Sequence, residues 1–247
     1  METLIITGGS AGIGAAVARL AATRGYAIAI NYSRDDAAAF AVVAEIGALG
    51  GSAIAVRGDV AHEADVSALF ATATRELGPV TALVNNAGIT GRLARLDEID
   101  AATIERVLAV NVTGSMLCAR EAVRRMSTKH GGTGGAIVNV SSAAARLGSG
   151  GEYIHYAVSK GAIDTLTIGL AREVATEGIR VNAVSPGLIE TGIHAKSGAP
   201  DRALRLAPII PMKRPGRAEE VAESILWLLS PAASYVTGAV LSVSGGR

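Results

Sequence analysis

The sequence predicts an α/β fold, a single domain built on a doubly wound parallel sheet with helices on both faces. Three observations lead there. Short apolar runs alternate with amphipathic helical stretches from end to end. The strand candidates are almost continuously apolar, as strands covered on both faces must be. A glycine-rich turn joins the first strand to the first helix, where an open sheet binds a dinucleotide. That turn argues against a closed eight-stranded barrel, the other architecture that the length allows. The chain has 247 residues, of which 49% are hydrophobic and 18% charged, a composition that suits one sizeable core and is far from that of disorder.

The elements follow in order. Thr3–Thr7 reads as a strand running into glycines, and Ala11–Thr23 as a helix whose Ile13, Val17 and Leu20 share one face. Gly25 stops that helix, and Tyr26–Asn31 is the second strand. Helix Asp35–Leu49 leads to strand Ala53–Arg57. Helix Glu63–Leu77, ended by Gly78 and Pro79, leads to strand Val80–Val84. Ile99–Met126 is one long helix with a slight irregularity near Gly114. Strand Ala136–Val140, helix Tyr153–Thr176, strand Arg180–Ser185, helix Ala218–Leu229 and strand Ala239–Val243 complete the alternation. Residues 187–211 carry no clear strand, and their apolar residues and glycines suit a lid over a substrate pocket. Neither a repeat nor a second domain is visible, so residues 1–247 are expected to form one catalytic domain.

Charge and composition exclude several functions. The formal net charge is +1 and no basic block occurs, which argues against nucleic acid as a partner. The N-terminus is apolar but broken by Gly8, Gly9, Gly12 and Gly14, and lacks both a charged leader and a spanning stretch. A cytoplasmic protein without a membrane segment is expected. Cys118 is the only cysteine, so no internal disulfide can form, and its setting on a helix face reads as a buried structural thiol. His62, His130, His155 and His194 lack metal-ligand spacing, and no metal is expected.

The turn Thr7-Gly8-Gly9-Ser10-Ala11-Gly12-Ile13-Gly14 has residues suited to a pyrophosphate. Gly8 permits a tight turn, Gly12 clears the approach, Gly14 lets helix and sheet pack closely, and the helix N-terminus offers amides. The spacing is G-x-x-x-G-x-G, not the commoner G-x-G-x-x-G, so the turn needs support from the rest of the chain. Asp59 and Val60, past the third strand, can border an adenine; Asp59 can equally cap the next helix. Asn85-Asn86-Ala87-Gly88, past the fourth strand, can line a cofactor and hold neighbouring backbone, or simply form a turn. Past the second strand, Ser33 and Arg34 can donate to a 2′-phosphate, no acid stands in the first positions, and Asp35 suits the helix start. NADP (NADPH) is therefore expected over NAD, which stays possible.

The chemistry sits on Tyr156 and Lys160, four residues apart and on one helical face. A cation beside a phenol favours the phenolate, so Lys160 is expected to lower the pKa of Tyr156 and make it a general acid/base. Tyr153 lies nearly two turns from Lys160 and reaches it poorly. Ser142, at the end of the fifth strand, can polarise a carbonyl; it stands nearer the turn than Ser141 and is preferred. No histidine pairs with it in an obvious nucleophile arrangement, which argues against acyl transfer. Asn111, inside a helix, is costly unless its amide is used. It either holds a water near Lys160 or bends the helix. Arg202 and Arg205 either meet an anionic substrate or, as preferred, face water.

Together TGGSAGIG, Asp59-Val60, NNAG at 85–88, Asn111, the serine pair, YAVSK at 156–160 and Pro186-Gly187 resemble the classical short-chain dehydrogenase/reductase family, in family order over nearly the whole chain. The resemblance implies a Rossmann-type domain that interconverts a carbonyl and a secondary alcohol with a nicotinamide cofactor. It implies Tyr156 as general acid/base, Lys160 also on the nicotinamide ribose, Ser142 on the carbonyl and Asn111 on a proton-relay water. It places Pro186-Gly187 and Thr191 beside the nicotinamide. It also implies a homo-oligomer, with a tetramer favoured, assembled through the long helices. The substrate, an acyl thioester, a sugar or a simple alcohol, is left open. The stretch between the serines and Tyr156 is one residue longer than in the shortest members, which bears on the choice between the serines. A catalytically idle dinucleotide-binding sensor or scaffold, and an epimerase or dehydratase on a nucleotide sugar, are the other readings. The intact Ser–Tyr–Lys set argues against the first, and the short substrate region against the second.

Overall fold

A computed structural model describes residues 2–192 and 201–247 of the chain. Seven parallel strands form one sheet in the order β3-β2-β1-β4-β5-β6-β7. They are β1 (Thr3–Ile6), β2 (Ala27–Tyr32), β3 (Ser52–Arg57), β4 (Val80–Asn85), β5 (Gly135–Val140), β6 (Ile179–Pro186) and β7 (Val240–Val243). The order reverses between β1 and β4, so the crevice outside their carboxyl ends is the switch point where open α/β sheets bind ligands.

The helices are α1 (Gly12–Thr23), α2 (Asp36–Ala48), α3 (Glu63–Leu77), α4 (Ala101–Leu108), α5 (Ser115–Met126), α6 (Ala144–Leu147), α7 (Ile154–Val174), α8 (Arg202–Arg205) and α9 (Ala218–Leu229). One core joins the inward faces of α1, α2 and α9 to one side of the sheet through Val17, Ile30, Val138 and Leu226. The other joins α3, α5 and α7 to the opposite side through Ile5, Phe70, Leu83 and Ile137. Burial of both faces explains why β1 and β2 are apolar without alternation. Cys118 lies in the second core, fully buried, and burial pushes its thiol up to about 12.

The expected long helix Ile99–Met126 is interrupted. Between α4 and α5 the turn Ala109–Gly114 is π-helical, with Asn111 at its centre. Gly114 is needed there because a Cβ would stand 2.7 Å from Val60 Cγ2. Asp35 caps α2, its Oδ1 accepting from the Ala38 amide at 2.9 Å. Periodicity did not show the short helices α6 and α8, each four residues long. Of the segment 187–211, residues 193–200, and with them His194, lie outside the described residues. No described helix is long and apolar enough to cross a membrane.

Candidate active site

Four strand ends and the first turns of α1 and α7 meet at the switch-point crevice. The glycine turn is held from behind by β4. Asn86 Nδ2 donates to the carbonyls of Thr7 and Gly8 at 2.9 and 3.0 Å, and the Thr7 hydroxyl accepts from the Asn86 and Ala87 amides at 3.0 Å each. Asn86 thus braces backbone, while Asn85 is buried and turns away to Ser115 and Asn139. Thr7 was not singled out in the sequence; its place at the last turn before the glycines is the signal that was available.

Gly8 and Gly12 take φ of +62° and +53°, a region that costs other residues strain. At Gly14 a Cβ would stand 2.4 Å from the Gly8 carbonyl oxygen, so only glycine lets the turn fold against its own helix. The N-terminus of α1 has no side-chain cap and no acidic residue in its first turn, leaving its amides and dipole to an anion. Ser10 and Ile13 are partly exposed beside it. Thr191 is brought to the same place, its Cγ2 standing 3.3 Å from where a Gly12 Cβ would be. These features fit a dinucleotide pyrophosphate.

The adenosine end contains a surprise. Asp59 does not cap α3, whose N-cap residue is His62. Its Oδ1 accepts from the Ala61 amide at 3.0 Å, and its Oδ2 pairs with Arg106 Nη2 of α4 at 2.5 Å. Burial opposes ionisation of Asp59, but these bonds outweigh it and hold the carboxyl below its ordinary value. Val60 is buried against Gly114. Ser33 and Arg34 are exposed past β2. A second cation stands at the neighbouring strand end: Arg57 pairs in register with Tyr32 at the end of β3, has a 65% exposed side chain and lies 4.0 Å from the Asp36 carboxylate. The parallel register of β2 and β3 is what would have revealed it.

At the chemical end the two serines separate. Ser141 is buried, its hydroxyl facing the Lys160 carbonyl at 3.3 Å and the Asp164 carboxylate. Ser142 is partly exposed and close enough to Tyr156 to lower the phenol's pKa, and its hydroxyl accepts from the Ala144 amide at 3.2 Å. Tyr153 is buried at the N-cap of α7, so Tyr156 is the tyrosine that reaches the crevice. Pro186 closes the corner, its carbonyl accepting from the Ala143 amide at 2.8 Å. Gly187 packs on Ser244, where a Cβ would meet Ser244 Cα at 2.8 Å.

The expected depression of Tyr156 is reversed. Burial pushes its phenol above the ordinary value, and Ser142, not Lys160, is the group pulling it back. Lys160 Nζ lies 5.7 Å from the centre of the Tyr156 ring and donates to the Val140 carbonyl at 2.7 Å. Lys160 is itself 5% exposed, and burial pulls its ammonium down to about 8, against the opposing charge of Asp164 one turn on. Tyr156, Lys160 and Asp164 therefore form one stripe along α7 at successive turns.

Asn111 is fully buried and its amide is committed. Its Oδ1 accepts from the Ile89 amide at 2.8 Å, and Nδ2 donates to the Ile89 carbonyl and to Ser159 Oγ at 2.9 Å each. Asn111 stands in the π turn between α4 and α5. A Cβ on Gly88 would stand 3.4 Å from Asn111 Oδ1 and 3.5 Å from Lys160 Nζ, so both atoms border one small space over Gly88. Arg202 departs from expectation: it does not face water but is 5% exposed and paired to Glu152. Arg205 is exposed.

A family model described as Enoyl-(Acyl carrier protein) reductase matches residues 8–247. The chain belongs to the short-chain dehydrogenase/reductase family. It is, with that family, an NAD(P)-dependent oxidoreductase. The uncharacterized oxidoreductase YgfF of Escherichia coli (strain K12) is 53% identical over 247 residues, covering 100% of both chains. The cis-4-hydroxycyclohexanecarboxylate dehydrogenase of Sinomonas cyclohexanicum is 42% identical, with 98% of this chain and 94% of that one covered. Among solved structures, a short-chain dehydrogenase from Burkholderia cenocepacia in complex with NADP superposes with a TM-score of 0.91 at 33% identity, covering 99% of this chain and 97% of that one.

Proposed function

We propose that this short-chain dehydrogenase/reductase uses NADP(H) to interconvert a small-molecule carbonyl and a secondary alcohol. The observation that carries the proposal is the cluster of Tyr156, Ser142 and Lys160 at the strand ends, with Lys160 Nζ 5.7 Å from the centre of the Tyr156 ring and the glycine turn at the neighbouring strand end. Gly8, Ser10, Gly12, Ile13 and Gly14 hold the pyrophosphate side, Thr191 next to Gly12 contacts the nicotinamide carboxamide, and Asp59 and Val60 border the adenine. Ser33, Arg34 and Arg57 receive the 2′-phosphate, and the Burkholderia neighbour bound to NADP supports that choice. Ala87, Gly88, Pro186 and Gly187 line the nicotinamide side. When bound, the nicotinamide supplies or accepts the hydride.

The chain's own groups manage the proton and the developing charge. Ser142 and Tyr156 both donate to the carbonyl oxygen as it gains negative charge, the contribution a preorganised donor pair makes to such a transition state. Tyr156 then gives up its proton in reduction and takes it back in oxidation. A phenol held above its ordinary value by burial is a reluctant phenolate. Ser142 offsets part of that reluctance, and Lys160 binds the ribose hydroxyls. Lys160 Nζ and Asn111 Oδ1 share the space over Gly88, which suits a relay water between them. The outer faces of α5 and α7 carry the exposed Met116, Val158 and Ile168, which supports assembly through these helices into a homo-oligomer.

The test is to follow nicotinamide absorbance with NADPH and NADH over cyclic ketones, 3-oxoacyl thioesters and aldoses, and the reverse reaction over their alcohols. Turnover of at least one carbonyl class with NADPH is expected. Tight NADPH binding without turnover of any class would favour the sensor or scaffold reading.

A further inference from the structure

The residues just before Tyr156 tie three loops together. Glu152 takes both terminal nitrogens of Arg202, Nη1 to Oε1 at 2.7 Å and Nη2 to Oε2 at 2.5 Å, the two-pronged geometry that fixes orientation as well as distance. The Arg202 side chain is 6% exposed, and its guanidinium carbon lies 5.4 Å from the centre of the Tyr153 ring. The Glu152 carbonyl accepts from the Ala94 amide at 3.0 Å, which draws in the loop after β4. Tyr153 stands edge-on to His155, and His155 Nε2 lies 2.9 Å from the Thr90 carbonyl in that same loop. Arg202 opens α8, in the segment that follows β6.

A buried guanidinium is retained only where its charge is met, and here Glu152 meets it completely. The hydrogen bonds from Arg202 hold the Glu152 carboxyl below the ordinary carboxylate range. The cost of burying Arg202 is a plain loss unless the position of α8 matters. The position it fixes is against the entry to the helix that carries Tyr156.

We infer that Glu152 and Arg202 are positioning residues that clamp α8 to the start of α7 and so set the substrate side of the active site. This inference rests on the oxidoreductase reading for its kinetic consequence. The clamp acts through Tyr153 and the α7 entry, on the N-terminal side of Tyr156, whereas Lys160 follows one turn later in the same helix. It therefore bears on the carbonyl substrate and not on the dinucleotide.

The experiment is a double-mutant cycle of Glu152→Gln, Arg202→Met and both together. It reads KM and kcat for the best carbonyl substrate, the NADPH Kd by fluorescence, and limited proteolysis between residues 187 and 211. Each single variant should raise KM by roughly tenfold or more, since small misplacements at a site cost factors of this size. NADPH Kd should stay within about twofold, and the double variant should be no worse than the worse single variant, because a clamp is lost once. Both single variants should also be cut in that segment faster than the wild type. Unchanged KM, additive effects, or a parallel loss of NADPH binding would overturn the clamp. So would loss of turnover in Arg202→Met confined to carboxylate-bearing substrates, which would make Arg202 a substrate contact. If the wild-type protein turns over no carbonyl, the oxidoreductase reading of the site fails instead. Proteolysis still decides the clamp in that case, since equal cutting rates for all four proteins would reject it.

Discussion

Replacing Lys160 by Met should make the cofactor-free protein more stable while removing its activity. The ammonium is 5% exposed, and burial lowers its pKa from 10.5 to about 8. A difference of that size corresponds to about 3 kcal/mol spent on keeping the folded ammonium charged. Met has similar length and no charge, so the substitution relieves that cost. It also removes the 2.7 Å bond to the Val140 carbonyl, a loss of about 1 kcal/mol. The net gain near neutral pH is about 2 kcal/mol, which is about 4–8 °C in melting temperature for a chain of this size. The sign of the pH dependence follows from a folded pKa below the unfolded one. The folded chain releases its proton first, so the cost is complete below about pH 8 and disappears as pH rises through 10.5. Urea unfolding of both proteins at about pH 7 and about pH 10 is the assay, and the advantage of Lys160→Met should close at the higher pH. A variant that is less stable at neutral pH, or a gap that does not change with pH, would refute the reasoning.

Three further outcomes follow from the same geometry. Gly14→Ala forces a Cβ to within 2.4 Å of the Gly8 carbonyl, so the turn must shift; fluorescence titration should show NADPH binding lost, with thermal unfolding lower by about 1–3 kcal/mol. Arg34→Ala and Arg57→Ala should each raise the KM for NADPH by roughly tenfold and leave catalytic efficiency with NADH nearly unchanged, as steady-state kinetics with both cofactors will show. Asn111→Leu leaves both the amide and the carbonyl of Ile89 unpaired beside a buried side chain, and chemical denaturation should show a loss of about 3 kcal/mol.

Much of this architecture was legible because burial on both faces writes long apolar strands and periodic helices into the text. Glu63–Leu77 and Ala218–Leu229 match residue for residue. The other boundaries moved by a residue or two where caps and register, which have no apolar signature, decide them: Tyr32 and Asn85 extend their strands because neighbouring strands pair with them. The π turn around Asn111 was visible only as a misplaced asparagine, since the partners of its amide, at Ile89 and Ser159, lie far away in sequence. Spacing brought Tyr156 and Lys160 to one face, but not the sign of the phenol's shift. That sign depends on burial, which Ser142 opposes only in part. Arg106 on Asp59, Glu152 on Arg202 and Arg57 beside Tyr32 are contacts between distant segments, and no local pattern announces them.

The central claim is that Tyr156 moves the proton at a site that otherwise only holds its ligands. The direct measurement is the Tyr156→Phe protein, with NADPH Kd from fluorescence and single-turnover rates on the carbonyl that the wild type reduces best. The account predicts a Kd within about twofold of wild type and a rate lower by roughly a hundredfold or more, the range expected for losing a positioned general acid. A rate close to that of the wild type would contradict it.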